Sequence, residues 1–259
     1  MTLSNVKCFL LDMDGTFYLG GRLIEGSLEF IDRVRATGRD FMFLTNNSSH
    51  NAGFYVKKLA GMGLEIDRSR VLTSGEATCA KLQQLYPGRR AFVLGNEYLV
   101  EEFNEAGIPV DMENPEIVVI GFDTTLDYRK MQAVCDFVRA GLPYIATHPD
   151  FNCPTETGFM PDIGAIMAFI EASTGRRPDL IVGKPHTGIV EAVLKRTGLR
   201  VEELAMVGDR LYTDIETGRR SGMLSILVMS GETTEAMLAE SPTKPDMKFG
   251  RLSDMIPLL

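Results

Sequence analysis

Asp12 and Asp14 are the residues of this chain best suited to chemistry. They lie in the sequence Asp-Met-Asp-Gly-Thr at residues 12–16, directly after the apolar residues 6–11. Such a run predicts a buried strand of a parallel sheet, and ligands bind at the carboxyl ends of these strands. Two carboxylates this close repel each other unless a cation offsets them, and an all-oxygen site favours Mg²⁺. The alternative is an acidic turn that merely ends the strand.

Three further predicted strands also end in polar residues. Residues 39–44 are followed by Thr45, Asn46 and Asn47, residues 180–182 by Lys184, and residues 204–207 by Asp209 and then Asp214. Phosphoryl transfer needs a nucleophile, a metal, donors for the phosphoryl oxygens and an acid for the leaving group. The four strand ends together supply each of these groups, and the set is far more specific than any one motif.

In this order, the motifs resemble the haloacid dehalogenase superfamily of phosphotransferases, and the resemblance covers essentially the whole chain. The segments around Thr45, Lys184 and Asp209 look like the NagD-like phosphatase branch, which includes p-nitrophenyl, phosphoglycolate and pyridoxal-phosphate phosphatases. The resemblance implies an α/β fold: a Rossmann-like parallel-sheet core with an inserted α/β cap domain. It also implies Mg²⁺-dependent hydrolysis of small phosphomonoesters. A phosphomutase of the same superfamily is the alternative.

The resemblance assigns roles to the acidic residues one by one. Asp12 is the expected nucleophile, which forms an aspartyl-phosphate. Asp14 is the expected acid and base, which protonates the leaving alcohol and then deprotonates the attacking water. The carboxylates of Asp12 and Asp209 and the backbone carbonyl of Asp14 are the expected ligands of Mg²⁺.

It also implies roles for the residues around the phosphate. Thr45 and Asn46 are expected to bind phosphoryl oxygens, and Lys184 to pair with both the phosphate and the nucleophile. Asp214 is expected to order Lys184 or a metal-bound water from behind the ligands. The alternative for Asp214 is a residue that favours the dipole of the following helix.

Substrate selectivity is expected to lie in the loop at residues 147–154 of the cap. The candidate substrate contacts are Asn47, Asp150, Asn152 and Cys153. Asn47 could equally cap the next helix, and the loop could be a connection braced by its prolines. Cys153 stands where pyridoxal-phosphate phosphatases have histidine, which disfavours that substrate. Asp162 stands where this branch usually has glycine, and its charge is expected to disfavour highly anionic substrates.

Strands and helices alternate along the whole chain, which predicts βαβ units. Polar strand ends occur in the first and last parts of the chain and not in the middle. We therefore expect a core made of residues 1–87 and 181–259 and an inserted cap at 88–180. One continuous α/β domain is the alternative. Glu101 and Glu102 are expected on a solvated helix face.

Composition narrows the partners of this 259-residue chain. The net charge of −8 gives no basic field for nucleic acid, whereas a small phosphorylated metabolite remains a suitable partner. No apolar run reaches 18 residues, so we expect no membrane span. Residues 1–5 lack the features of a signal peptide, and the four cysteines form no CxxC pair, so we expect a cytoplasmic protein. The outer face of the cap is the expected place for a homodimer contact.

Overall fold

The computed structural model describes residues 3–155 and 158–259. Strands and helices alternate through most of this length, as the periodicity predicts. The strands are β1 (Cys8–Leu11), β2 (Tyr18–Leu19), β3 (Arg22–Leu23), β4 (Asp40–Thr45), β5 (Val71–Thr73), β6 (Ala91–Leu94), β7 (Ile117–Ile120), β8 (Tyr144–Ala146), β9 (Asn152–Thr155), β10 (Gly158–Pro161), β11 (Leu180–Ile181), β12 (Leu204–Gly208), β13 (Leu224–Val228) and β14 (Met247–Phe249). The α-helices are α1 (Ser27–Ala36), α2 (Ala52–Gly61), α3 (Ser74–Leu85), α4 (Glu97–Glu105), α5 (Tyr128–Arg139), α6 (Ile163–Thr174), α7 (Thr187–Thr197), α8 (Glu216–Ser221) and α9 (Glu235–Glu240).

The chain divides into two compact units. The first contains the chain up to Thr45, Tyr55–Leu72 and Lys184–Leu259, and the second contains Asn46–Phe54 and Thr73–Gly183. The expected cap at 88–180 falls inside the second unit, which is larger at both ends. It begins earlier because α3 packs against α4, and it ends later because β11 pairs with β8.

The first unit is built on a six-stranded sheet in the order β14-β13-β12-β1-β4-β5. Strand β1 pairs in parallel with both β12 and β4, with Leu11 opposite Val207 and Phe43. All four residues of β1 are buried, as expected for a central parallel strand. The carboxyl ends of β1 and β12 therefore lie side by side, and the residues that follow them, Asp12 and Asp209, start from the same edge of the sheet.

The second unit has its own parallel sheet in the order β11-β8-β7-β6. Strand β11 is part of this sheet, with Leu180 opposite Ile145. The N–H groups of Val182 and Gly183 donate to the carbonyls of Ala146 and Thr147, which extends the pairing with β8 up to Lys184. Lys184 was expected at the end of a core strand, and that placement is wrong. The chain leaves the second unit directly before Lys184, which starts the return to the first unit.

Short hairpins are the elements that the sequence did not indicate. Strands β2 and β3 form an antiparallel pair just after Asp14, and β9, which begins inside the expected loop at 147–154, forms another with β10. Two- to four-residue strands are too short for a period-2 pattern to stand out. None of the helices in the described part combines the length and hydropathy needed to cross a bilayer.

Glu102 is buried. The sequence led us to expect it on a solvated helix face, and that expectation is wrong. Thr73 caps α3: its Oγ1 accepts a hydrogen bond from the Glu76 N–H at 3.0 Å and donates to Glu102 Oε1 at 2.7 Å. A side chain at Gly75 would collide with the Glu102 carboxylate. The carboxylate thus lies at the amino end of a 12-residue helix, where the helix dipole favours a negative charge.

Replacing Glu102 with alanine is expected to lower the free energy of unfolding by about 2–3 kcal/mol, because it leaves the buried Thr73 hydroxyl without its acceptor and removes a negative charge from the amino end of α3. Chemical denaturation monitored by circular dichroism measures this change. Asn104→Ala is the matched control, since Asn104 is exposed on the same helix, whereas Glu101 accepts a hydrogen bond from the Asn51 side chain. Equal stabilities of the two variants would contradict the role given to Glu102.

Candidate active site

Lys184 is the centre of the acidic site in the first unit. Its Nζ donates to Asp12 Oδ1 at 2.5 Å, to Asp214 Oδ1 at 2.7 Å and to the Leu44 carbonyl at 3.1 Å. The side chain is almost completely buried. Burial lowers the pKa of Lys184, but the Asp12 and Asp214 carboxylates outweigh it and hold that pKa above its usual range. The ammonium group is therefore a permanent charge that fixes the Asp12 carboxylate.

Asp214 lies within a one-turn π-helix, Leu211–Ile215, that precedes α8. Its second oxygen, Oδ2, accepts a hydrogen bond from the Arg210 N–H at 3.1 Å. A side chain at Gly208 would collide with the Asp214 carboxylate, so glycine is required for this close approach. The structure thus places Asp214 behind Lys184 as a buried anion.

Asp209 is held by a segment that the sequence analysis did not single out. Its Oδ2 accepts from the Glu232 N–H at 2.7 Å, and its Oδ1 accepts from Thr16 Oγ1 at 3.2 Å. Ser230 Oγ donates to the Gly15 carbonyl at 2.8 Å, which joins the same segment to the loop after β1. The available signal was a fifth polar strand end, residues 230–233, which closely follows the apolar β13.

Three carboxylates of this site lie close enough together to bind one metal ion. Asp12, Asp209 and Asp214 each offer an oxygen, and these oxygens lie within 4.8 Å of one another. Burial, and then the charges of the other two aspartates, raise the pKa of Asp209. One lysine cannot neutralise three carboxylates. The three carboxylates therefore carry an excess of negative charge that a bound cation would neutralise. Because all of their ligand atoms are oxygen, they fit a hard divalent metal.

Asp14 lies at the edge of this site, in the turn before the hairpin β2–β3. Its side chain reaches solvent, yet desolvation by neighbouring atoms raises its pKa; attraction to Lys58 opposes this rise, and repulsion from Asp12 adds to it. A carboxyl group with a raised pKa is suited to donate a proton. The sequence analysis did not identify Lys58, because residues 14 and 58 approach only in the folded chain.

Arg210 is a second cation near these carboxylates, and the sequence motifs did not identify it. Its Nε lies 3.1 Å from Glu232 Oε2, so its charge is already paired. Arg210 directly follows Asp209 and lowers the pKa of both Asp209 and Asp14 by its positive charge, against the larger effect of desolvation. It therefore offsets part of the negative charge of the site.

The expected phosphate-binding residues Thr45 and Asn46 lie at the end of β4, where the chain passes between units. Thr45 is the last residue of that strand and is buried. Asn46 opens the segment Asn46–Phe54 of the second unit, and its Nδ2 donates to both carboxylate oxygens of Asp150, at 3.1 and 3.3 Å. Asn46 and Asp150, which were candidates for different tasks, are thus a hydrogen-bonded pair.

Asn47 makes a local turn. Its Oδ1 accepts hydrogen bonds from Ser49 N and Oγ, at 2.8 and 2.7 Å. Helix α2 is capped instead by Asn51, whose Oδ1 accepts from the Phe54 N–H at 2.9 Å. The alternative role of Asn47, as the cap of this helix, is therefore wrong, because the helix begins four residues later than that role requires.

The remaining cap candidates divide by burial. Asn152 is exposed on β9, whereas Cys153 is partly buried and packs against the apolar core of the second unit. Asp162 is buried: it accepts from the Ile163 N–H at 2.6 Å and lies 3.1 Å from His148 Nε2. Its charge is held by the start of α6 and the imidazole, which gives no support to the expected effect on anionic substrates.

Comparison with known proteins gives matches along nearly the whole chain. A family model described as haloacid dehalogenase-like hydrolase matches residues 9–109, and one described as HAD-hydrolase-like matches residues 181–255. A 5'-nucleotidase of Bacillus subtilis is 32% identical over 257 residues, which are 99% of this chain and 100% of that protein. An acid sugar phosphatase of Staphylococcus aureus is 35% identical over 255 residues, 98% of each chain. The crystal structure of a 4-nitrophenylphosphatase from Thermotoga maritima superposes with a TM-score of 0.96, at 47% identity and 98% coverage of both chains.

Proposed function

The chain belongs to the haloacid dehalogenase-like hydrolase family and is a NagD-like phosphomonoester hydrolase, and we propose that it acts on small phosphomonoesters with Mg²⁺ through an aspartyl-phosphate on Asp12. Sugar phosphates, nucleotides and p-nitrophenyl phosphate are the proposed substrates, since relatives carry the names acid sugar phosphatase, 5'-nucleotidase and 4-nitrophenylphosphatase.

The observation that carries the proposal is the pairing of Asp12 with a buried lysine beside further carboxylates. A nucleophilic carboxylate must approach a phosphoryl group that is itself negatively charged. Lys184, 2.5 Å from Asp12 Oδ1, supplies a fixed positive charge at that point. Asp209 and Asp214 supply the excess negative charge that a metal needs. This combination supports covalent phosphoryl transfer better than simple binding of an anion.

The first step transfers the phosphoryl group to the enzyme. A carboxylate oxygen of Asp12 forms a bond to phosphorus while the bond from phosphorus to the ester oxygen breaks. The ester oxygen takes a proton from Asp14, so the alcohol leaves neutral. The raised pKa of Asp14 keeps this proton available. Lys184 keeps the Asp12 carboxylate oriented during the attack.

The second step releases phosphate. The Asp14 carboxylate, now ionised, accepts a proton from a water whose oxygen attacks the phosphorus of the aspartyl-phosphate. The bond from phosphorus to the Asp12 oxygen breaks, which restores the Asp12 carboxylate and the proton on Asp14. The sum of both steps is hydrolysis of a phosphomonoester to an alcohol and inorganic phosphate.

Asp12 and Asp209 are the side chains proposed to hold Mg²⁺, with the Asp14 carbonyl as the third protein ligand. When bound, the metal would neutralise the repulsion between the Asp12 carboxylate and the phosphoryl oxygens. Asp214 has an oxygen within 4.8 Å of the other two carboxylates, but it also bonds Lys184, so we assign it to ordering Lys184. We further propose a cytoplasmic location and a phosphorylated metabolite as the partner.

A phosphate-release assay tests this proposal directly. Purified protein with millimolar Mg²⁺ is expected to release phosphate from p-nitrophenyl phosphate and from members of a panel of sugar phosphates, nucleotides, phosphoglycolate and pyridoxal phosphate. Release should be stoichiometric with alcohol, since water is the final acceptor. No release from any member of the panel would refute the proposal. Transfer of the phosphoryl group to an added sugar phosphate in place of release would point to a phosphomutase.

A further inference from the structure

The cations around the active site differ in whether a carboxylate of the protein contacts them. Lys184 contacts Asp12 and Asp214, and Arg210 contacts Glu232. Lys58 has no carboxylate within ion-pair distance among residues 3–155 and 158–259; the contact the structure gives its ammonium is with an aromatic ring. Lys58 is therefore a positive charge beside the site that no protein carboxylate neutralises by contact.

The position of Lys58 is fixed by the turn that carries Asp14. Lys58 is half-buried on α2, and its Nζ lies 3.9 Å from the centroid of the Tyr18 ring. Tyr18 is bridged to Asp14 by backbone pairing, and its carbonyl accepts from the Gly15 N–H at 2.7 Å. The ring is thus a platform that places the ammonium near Asp14. Desolvation lowers the pKa of Lys58 and the Asp14 carboxylate raises it, as expected for two charges that interact through space.

Asp14 marks the side of the site where the leaving group lies, because it protonates the ester oxygen in the proposed function. We propose that Lys58 binds a second anionic group carried by the leaving alcohol, and so favours phosphomonoesters whose alcohol part bears a carboxylate or another phosphate near the ester oxygen. This inference rests on the proposed function and adds a selectivity-determining residue to it. An ammonium with no carboxylate in contact can form a charge-assisted hydrogen bond with such a group without first breaking an ion pair within the protein.

A purely structural role for Lys58 makes a different prediction. If its contact with Tyr18 only braces the turn at Asp14, loss of the ammonium would slow the hydrolysis of all substrates alike. If Lys58 binds the leaving group, the loss depends on the charge of that group. The ratio of two specificity constants therefore separates the two roles.

The test compares 2-phosphoglycolate with 2-hydroxyethyl phosphate, which has the same skeleton with a hydroxymethyl group in place of the carboxylate. Lys58→Met keeps the length of the side chain and removes the charge. We expect it to lower the kcat/KM ratio of the anionic over the neutral substrate by roughly tenfold to a hundredfold, mainly through KM. Lys58→Arg should retain most of the ratio. Lys57→Met, a change at the exposed neighbour on the same helix, should leave the ratio at its wild-type value.

A binding measurement gives a second readout that does not depend on turnover. In the Asp12→Asn protein with Mg²⁺, titration calorimetry should show weaker binding of 2-phosphoglycolate when Lys58→Met is added. An active enzyme whose ratio and binding are unchanged by Lys58→Met would overturn the inference and leave the phosphatase proposal intact. A wild-type protein that hydrolyses neither these compounds nor p-nitrophenyl phosphate would refute the proposed function itself.

Discussion

Asp12→Asn is expected to lower kcat for p-nitrophenyl phosphate by roughly 10⁴-fold or more, because an amide oxygen cannot serve as the nucleophile. The substitution keeps the size of the side chain, so the fold should persist. Lys184 would still donate to Asp214 and to the Leu44 carbonyl, which limits the cost of losing one anionic partner. Steady-state kinetics measure the loss, and circular dichroism checks the fold.

A matched control comes from the surface of the same unit. Asp32 is exposed on α1, and Asp32→Asn should retain wild-type kcat. Phosphorylated protein should also be trapped in wild type by rapid acid quench and mass spectrometry, with the added mass on the peptide that contains Asp12. Activity of Asp12→Asn within tenfold of wild type would exclude Asp12 as the nucleophile.

Much of the site could be predicted because Asp12, Asp14 and Asp209 each closely follow an apolar strand. The parallel pairing of β1 with β12 brings Asp12 and Asp209 to one edge of a sheet, and that pairing follows from short apolar runs separated by helices. The family resemblance then gave each residue a role. The π-turn at 211–215 and the buried contact of Asp214 with Lys184 needed the structure, since helix-start and inward-facing aspartates look alike in a sequence.

Other features lay outside the reach of local patterns. Lys184 comes shortly after β11. Nothing in the short apolar run of β11 shows which of the two sheets this strand joins. Glu102 looks like a surface residue beside Glu101, but its partner is Thr73, which lies at the amino end of a helix and 29 residues earlier in the chain. The role proposed for Lys58 depends on its proximity to Tyr18 and Asp14, which are both more than 35 residues earlier in the sequence. These placements depend on tertiary contacts, which outweigh local preference.

Removal of divalent metal is expected to be the second large effect. Asp12, Asp209 and Asp214 place three carboxylates around a single lysine, and Asp209 is only 2% exposed. Treatment with EDTA should therefore lower kcat by roughly 10³-fold, or about 4 kcal/mol of transition-state stabilisation, and added Mg²⁺ should restore it. Activity that survives exhaustive chelation would contradict a metal-assisted mechanism.

Thermal stability reports on the same site independently of turnover. Mg²⁺ in large excess over its dissociation constant is expected to raise Tm by roughly 2–6 °C, because it binds the folded carboxylate cluster and not the unfolded chain. Asp209→Asn should abolish this shift and the activity together. It should also leave the metal-free protein at least as stable as wild type, since it removes a buried charge that repels its neighbours while the amide oxygen still accepts from Glu232 or Thr16. A full Mg²⁺-induced shift in Asp209→Asn would place the metal elsewhere, and differential scanning calorimetry with and without Mg²⁺ decides between the two results.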